Sequence, residues 1–236
     1  MTAPVLVVQH EDGCPPAWFG TWMTASGAAL DVRRPYVGEV LPVDLSEHSG
    51  LLVLGGAMNA TDEVATPWLV PTKALVREAV AHETPVLGIC LGHQIVSDAL
   101  GGTVEPNPNG TQRDLLEHGW TESAADDPLF GSRPARAAHW NNDVVTEPPP
   151  GATVLARASG GEVQALRFGV RAWGIQSHPE VDEQVLALWA EEDGVDVAGF
   201  LAAVAAARAD LDASWQPVAV AFATLCSENP YRLRHG

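Results

Sequence analysis

The stretch Gly88-Ile89-Cys90-Leu91-Gly92-His93-Gln94 constrains this chain more than any other, because it joins an apolar run, residues 85–89, to a segment patterned like a helix. A run that short and apolar reads as a buried strand. Strand, sharp turn and helix in succession hold the side chain at the bend, Cys90, out in front of a sheet. Glycines on both sides permit the tight backbone and the close packing of helix on strand. A helix starting near Leu91 would aim free N–H groups and the positive end of its dipole at the sulfur, which favours thiolate over thiol. Cys90 is therefore a candidate nucleophile.

Such a thiol needs a base, and Trp173-Gly174-Ile175-Gln176-Ser177-His178-Pro179-Glu180 offers one where a second apolar run ends in polar residues. If His178 closes a strand of the same sheet, its imidazole can take the Cys90 proton. Glu180 can then hold the ring in one tautomer and stabilise its charged form, and Pro179 fixes the backbone between them. Taken alone, a cysteine in an apolar segment is more often inert core, and a lone histidine more often a hydrogen-bonded structural group. Gly-x-Cys-x-Gly at one strand end with His-Pro-Glu at another favours the catalytic reading.

The rest of the chain supplies a sheet for these ends. Residues 5–8, 31–37, 51–54 and 85–89 read as strands, and 16–26 as a helix. Residues 67–83 form another helix, since Leu69, Thr72, Leu75, Val76, Ala79 and Val80 recur at spacings of three and four. The alternation predicts an α/β fold, an open and mostly parallel sheet with helices on both faces. Ligands of such sheets sit beyond the carboxyl ends of the strands. From 103 to 176 the pattern changes to β-like runs between Gly and Pro turns, such as 153–158 and 163–168, which implies an antiparallel extension. Residues 181–191, 197–212 and 215–227 read as three helices, so that 181–236 forms a helical segment packed on a single domain spanning 1–236.

GICLGHQ followed by QSHPE resembles the class I glutamine amidotransferases, the Cys-His-Glu glutaminases, from about Val5 to Glu180. The likeness is greatest to stand-alone members similar to the glutaminase part of GMP synthase. The resemblance implies the flavodoxin-like sheet of that family. It also implies that Cys90 attacks the side-chain amide of glutamine, with His178 as base and Glu180 as its partner. The backbone N–H groups of Leu91 and Gly56 would receive the oxyanion, Gly56 being the second glycine after the run Leu51-Leu52-Val53-Leu54. Family members commonly carry proline after that glycine pair, where this chain has Ala57. Gln94, one helical turn past Cys90, would hold the amino-acid end of the substrate. Trp140 and Asn141, in the cluster His139-Trp140-Asn141-Asn142-Asp143, would border the same site, although asparagine and aspartate also make ordinary turns.

Other chemistry finds little support. Cys90 and His93 lack a second ligand pair at zinc-like spacing, which argues against a metal site, and His93 reads as a packing residue. Ser159-Gly160-Gly161-Glu162 is similar to the start of an ATP-pyrophosphatase loop, but Val163 and Gln164 follow where Asp-Ser is needed, so a hairpin turn is the better reading. No Gly-Lys-Ser/Thr follows a strand, and no cofactor is expected. A net charge of −17 with only 13 Lys and Arg opposes a nucleic-acid surface. No run approaches the ~18 apolar residues of a membrane span. Three scattered cysteines and the absence of a signal-peptide pattern point to a soluble cytoplasmic protein with reduced thiols. Three functions follow: a glutaminase feeding ammonia to a separate synthetase subunit, a stand-alone hydrolase of γ-glutamyl small molecules, or a binding protein that keeps the fold without turnover. The intact triad weighs against the last.

Overall fold

The computed structural model describes residues 3–229. Strand β1 (Val5–Val8) leads through helix α1 (Ala17–Ala25) to β2 (Leu30–Arg33), then to β3 (Gly50–Val53), α2 (Leu69–Ala81), β4 (Val86–Ile89) and α3 (Leu91–Ala99). The strand expected over 31–37 stops at Arg33. Pro35 removes a ladder donor and opens a 3-10 turn over Pro35–Val37 instead.

Next come β5 (Thr103–Pro106), β6 (Gln112–Glu117), β7 (Gly119–Trp120), β8 (Arg136–Asn141), β9 (Asp143–Glu147), β10 (Thr153–Arg157), β11 (Val163–Arg167) and β12 (Ala172–Ile175). The main sheet has eight strands in the order β2-β1-β3-β4-β12-β11-β10-β7. From β2 to β12 the neighbours are parallel, and from β12 to β7 antiparallel. The expected antiparallel extension is present, and residues 159–162 make the expected turn between β10 and β11. Two further pairs, β5 with β9 and β6 with β8, stand as small sheets of their own rather than extending the large one.

Helices cover both faces, and the strands show it in their alternation. Val5 and Val7 of β1 join one apolar cluster with Phe19 and Met23 of α1, while Leu6 and Val8 join a second with Leu75 and Val76 of α2 and Ile95 of α3. Burying each such side chain contributes roughly 1.5–3 kcal/mol. Helix α4 (Glu183–Asp193) begins on Asp182, whose carboxylate accepts from the N–H groups of Gln184 and Val185 at 3.0 and 2.9 Å, and ends on Gly194 at φ 64°. Helix α5 (Ala198–Ser227) is a single element of 30 residues. The two helices expected over 197–212 and 215–227 are thus one, with Pro217 inside it. Val204, Leu211, Trp215, Val218 and Phe222 keep one buried stripe through the proline, and that continuous burial overrides the local break. Among the described residues, no helix is long and apolar enough to cross a membrane.

Candidate active site

Cys90 stands between β4 and α3 at φ 49° and ψ −107°, a positive-φ conformation that costs a residue with a Cβ about 1–3 kcal/mol. Its surroundings enforce it. The Cys90 N–H donates to the Ile175 carbonyl of β12 at 2.8 Å, and its carbonyl receives the Gln94 N–H at 3.1 Å. A Cβ on Gly88 would run into the Gly92 carbonyl, and one on Gly92 into the Val53 carbonyl, so both glycines let α3 lie against the strands. The thiol is only 5% exposed. It sits at the N-terminus of α3, whose first N–H groups have no acceptor within the helix.

His178 lies three residues past the end of β12, not on the strand itself. Its N–H donates to the Ala138 carbonyl of β8 at 2.7 Å, an isolated bridge that ties the loop to the small β6-β8 sheet. Its ring stands close enough to Cys90 to feel the charge of the sulfur, and both residues line the same cavity. On the other side, Nδ1 lies 2.7 Å from Glu180 Oε1. Burial alone would push this imidazole down, but the charges of Cys90 and Glu180 and its hydrogen bond to Glu180 hold it well above the ordinary histidine range. The ring also meets the Trp189 indole edge-on, with centroids 4.7 Å apart.

These groups open on a cavity of about 240 Å³ lined by Cys90, His178, Gly56, Gln94, Trp140 and Asn141 among others. Six of the expected site residues therefore share one concavity. The remaining two stand behind it, Glu180 on the far side of His178 and Leu91 at the first position of α3. A Cβ on Gly56 would come within 2.9 Å of the Leu91 side chain, so the glycine loop after β3 lies against the start of α3. Gln94 donates to the Asp143 carbonyl at 2.9 Å and to Gln176 at 3.3 Å. The Trp140 carbonyl accepts from the Cys90 thiol at 3.9 Å, and the Asn141 amide donates to the Asp143 carbonyl at 3.3 Å. His93 points away, packed between Gly174 and Phe168, and burial lowers it to about 3.

Sequence reasoning passed over Gln176, whose amide donates to Cys90 Sγ at 3.5 Å. Its place inside the QSHPE stretch was the available signal. Trp189, Glu11 and Cys14 also line the cavity and carry no local pattern to announce it.

A sulfur at the N-terminus of a helix, an imidazole on the same cavity wall and a carboxylate behind the imidazole are the parts of an acyl-transfer centre. Residues 26–187 match the family model for glutamine amidotransferase class-I. The chain belongs to that family. Among class I glutamine amidotransferases and their kin, it is 32% identical over 185 residues to the glutamine amidotransferase-like protein YfeJ of Salmonella typhimurium, covering 73% of this chain and 74% of that protein. It is 38% identical over 146 residues to a glutamine-hydrolyzing GMP synthase subunit of Halobacterium salinarum, 59% of this chain and 70% of that one. The fold matches the crystal structure of a glutamine amidotransferase from Thermotoga maritima with a TM-score of 0.84 at 24% identity, covering 94% and 99% of the two chains.

Proposed function

We propose that this protein hydrolyses the γ-carboxamide of glutamine or of a γ-glutamyl derivative, with Cys90 as nucleophile, His178 as acid and base, and Glu180 as the group that orients His178. What carries the reading is that His178, hydrogen-bonded to Glu180, shares the wall of one cavity with a strained Cys90. The sulfur adds to the amide carbon, and the oxygen takes up the negative charge. Backbone N–H groups of Leu91 and Gly56 receive that charge. The C–N bond breaks as His178 gives its proton to the departing nitrogen, leaving a γ-glutamyl thioester. Water then adds to the thioester, His178 takes a proton from it, and glutamate leaves as the sulfur is freed. Gln94, Trp140 and Asn141 border the bound amino acid.

The test is glutamate release from glutamine and from a γ-glutamyl amide. Cys90→Ala should lower it by ~10³-fold or more, and Glu180→Gln by ~10²-fold or more. A glutamine-mimicking electrophile should label Cys90 and spare Cys14 and Cys226, because burial, with Glu11 adding to it at Cys14, pushes both of those thiols far up. Equal turnover by Cys90→Ala, or labelling centred on another cysteine, would remove the assignment.

A second reading, delivery of the released ammonia to a separate synthetase, is favoured by the likeness to a protein named as part of a GMP synthase. Glutamine turnover that rises several-fold on adding an acceptor-bearing synthetase would support it.

A further inference from the structure

The cavity has two unlike ends, and the acid role proposed for His178 decides which end meets which part of a substrate. This inference rests on that proposed reaction. The departing nitrogen must lie on the His178 side, because His178 supplies its proton. On that side stand residues from two elements brought together by His178 itself. The Trp189 indole of α4 packs against the imidazole and donates to the Gly13 carbonyl at 2.9 Å. A Cβ on Gly55 would come within 3.0 Å of the His178 ring and 3.8 Å of Cys14 Sγ, so the loop after β1 adjoins the same edge. The loop contributes Glu11 and Cys14 to the cavity, and α4 contributes Trp189, Glu192 and Asp193.

The opposite end is built for an amino acid. Asn141 is 5% exposed, and its amide donates to the Asp143 carbonyl at 3.3 Å. Asn141 and Asp143 both line the cavity, and the Asp143 carboxylate offers an acceptor to the α-ammonium of a glutamyl group. With the glutamyl part held there, whatever is attached to the amide nitrogen extends toward Glu11, Glu192 and Asp193.

That wall is negative. Among the described residues, no lysine or arginine lines the cavity. Arg113 reaches in from β6 only to meet Asp193 at 2.7 Å, its guanidinium 5.0 Å from the centre of the Trp140 ring. Asp193 also accepts from the Trp140 indole at 3.2 Å. Glu11 accepts the Cys14 thiol at 3.0 Å, a neutral donor that leaves its charge in place. Glu192 has no hydrogen bond or ion pair among the described residues. One guanidinium therefore stands against three carboxylates, beside the faces of Trp140 and Trp189, which themselves attract cations.

We infer that the preferred substrate is a γ-glutamyl amide whose amine portion carries a second, positively charged nitrogen, and that Glu192 with Glu11 selects it. Free glutamine, whose amide nitrogen carries nothing, leaves this wall unused. An anionic substituent meets repulsion there.

Three amides matched in length test it: γ-glutamyl-1,5-diaminopentane, γ-glutamyl-hexylamine and γ-glutamyl-5-aminopentanoate, ending in ammonium, methyl and carboxylate. The kcat/KM for the ammonium compound should exceed that for the methyl compound by about 5- to 10-fold, with the carboxylate compound last, and the spread should shrink in high salt. Glu192→Gln should reduce the ammonium-to-methyl ratio and Glu192→Lys should invert the order of the charged pair. Glu192 is exposed, so neither change threatens the fold. Calorimetric binding of the same three compounds to Cys90→Ala reads the wall without turnover. Equal affinities across the three compounds, or a ratio untouched by Glu192→Lys, overturn the inference. Affinities that rank by charge without glutamate release from any compound would uphold the wall and overturn the hydrolase.

Discussion

Cys90 combines a demanding backbone with a demanding side chain. At φ 49° it occupies a conformation that glycine takes freely and other residues take at a cost, yet the proposed nucleophile needs a side chain that glycine lacks. Removing the sulfur separates the two demands. Cys90→Gly and Cys90→Ala should both be inactive, but Cys90→Gly should be the more stable by about 1 kcal/mol, the relief of strain outweighing the greater freedom of glycine in the unfolded chain. Urea unfolding of the two variants measures the difference, and an alanine variant as stable as the glycine one would show that the turn carries no strain. His178 presents the same economy of means. One ring bonds Glu180 and packs edge-on against Trp189, so its orientation is set from two sides.

Helix α5 shows packing overruling a local signal. Pro217 has no N–H to give the Ala213 carbonyl, and a proline inside a helix normally costs about 3 kcal/mol. The buried stripe from Phe200 to Cys226 runs through it regardless. Because the Pro217 ring is exposed and contributes no core packing, Pro217→Ala should restore the missing bond and raise stability by ~1–3 kcal/mol. A thermal midpoint that falls in this variant would mean that the surrounding helix is bent to suit the proline. Helix α4 acts differently. It is a capped helix of ordinary length whose buried Trp189 and last turn both reach the cavity, which is how Glu192 and Asp193 come to stand there.

Across the whole molecule, four histidines among the described residues are buried and held neutral. Burial lowers His10 and His93 to about 3 and His118 to about 4, and drives His139 well down. Unfolded, each titrates near ~6.5, so below that pH the unfolded chain binds protons that the fold refuses, and stability falls with acidification. His178 has the opposite sign. Its raised value stabilises the fold fully below about pH 6.5, a contribution lost as pH climbs through its folded value. The four outweigh the one, and unfolding free energy should drop by about 3 kcal/mol or more between pH ~6.5 and ~5. A flat profile over that window would contradict their neutral burial. The sequence by itself determined the strand-turn-helix around Cys90, the alternating elements of the parallel half and the pairing of His178 with Glu180. In each of these the signal is local: glycine spacing, apolar period, or residues two apart. Tertiary structure alone decided that β12 inserts beside β4, that Ala138 anchors His178, that α5 runs unbroken, and that Glu11 and Trp189 meet at one wall. Those outcomes depend on the burial of surfaces distant along the chain, and no short stretch of residues encodes which distant surface its own will meet.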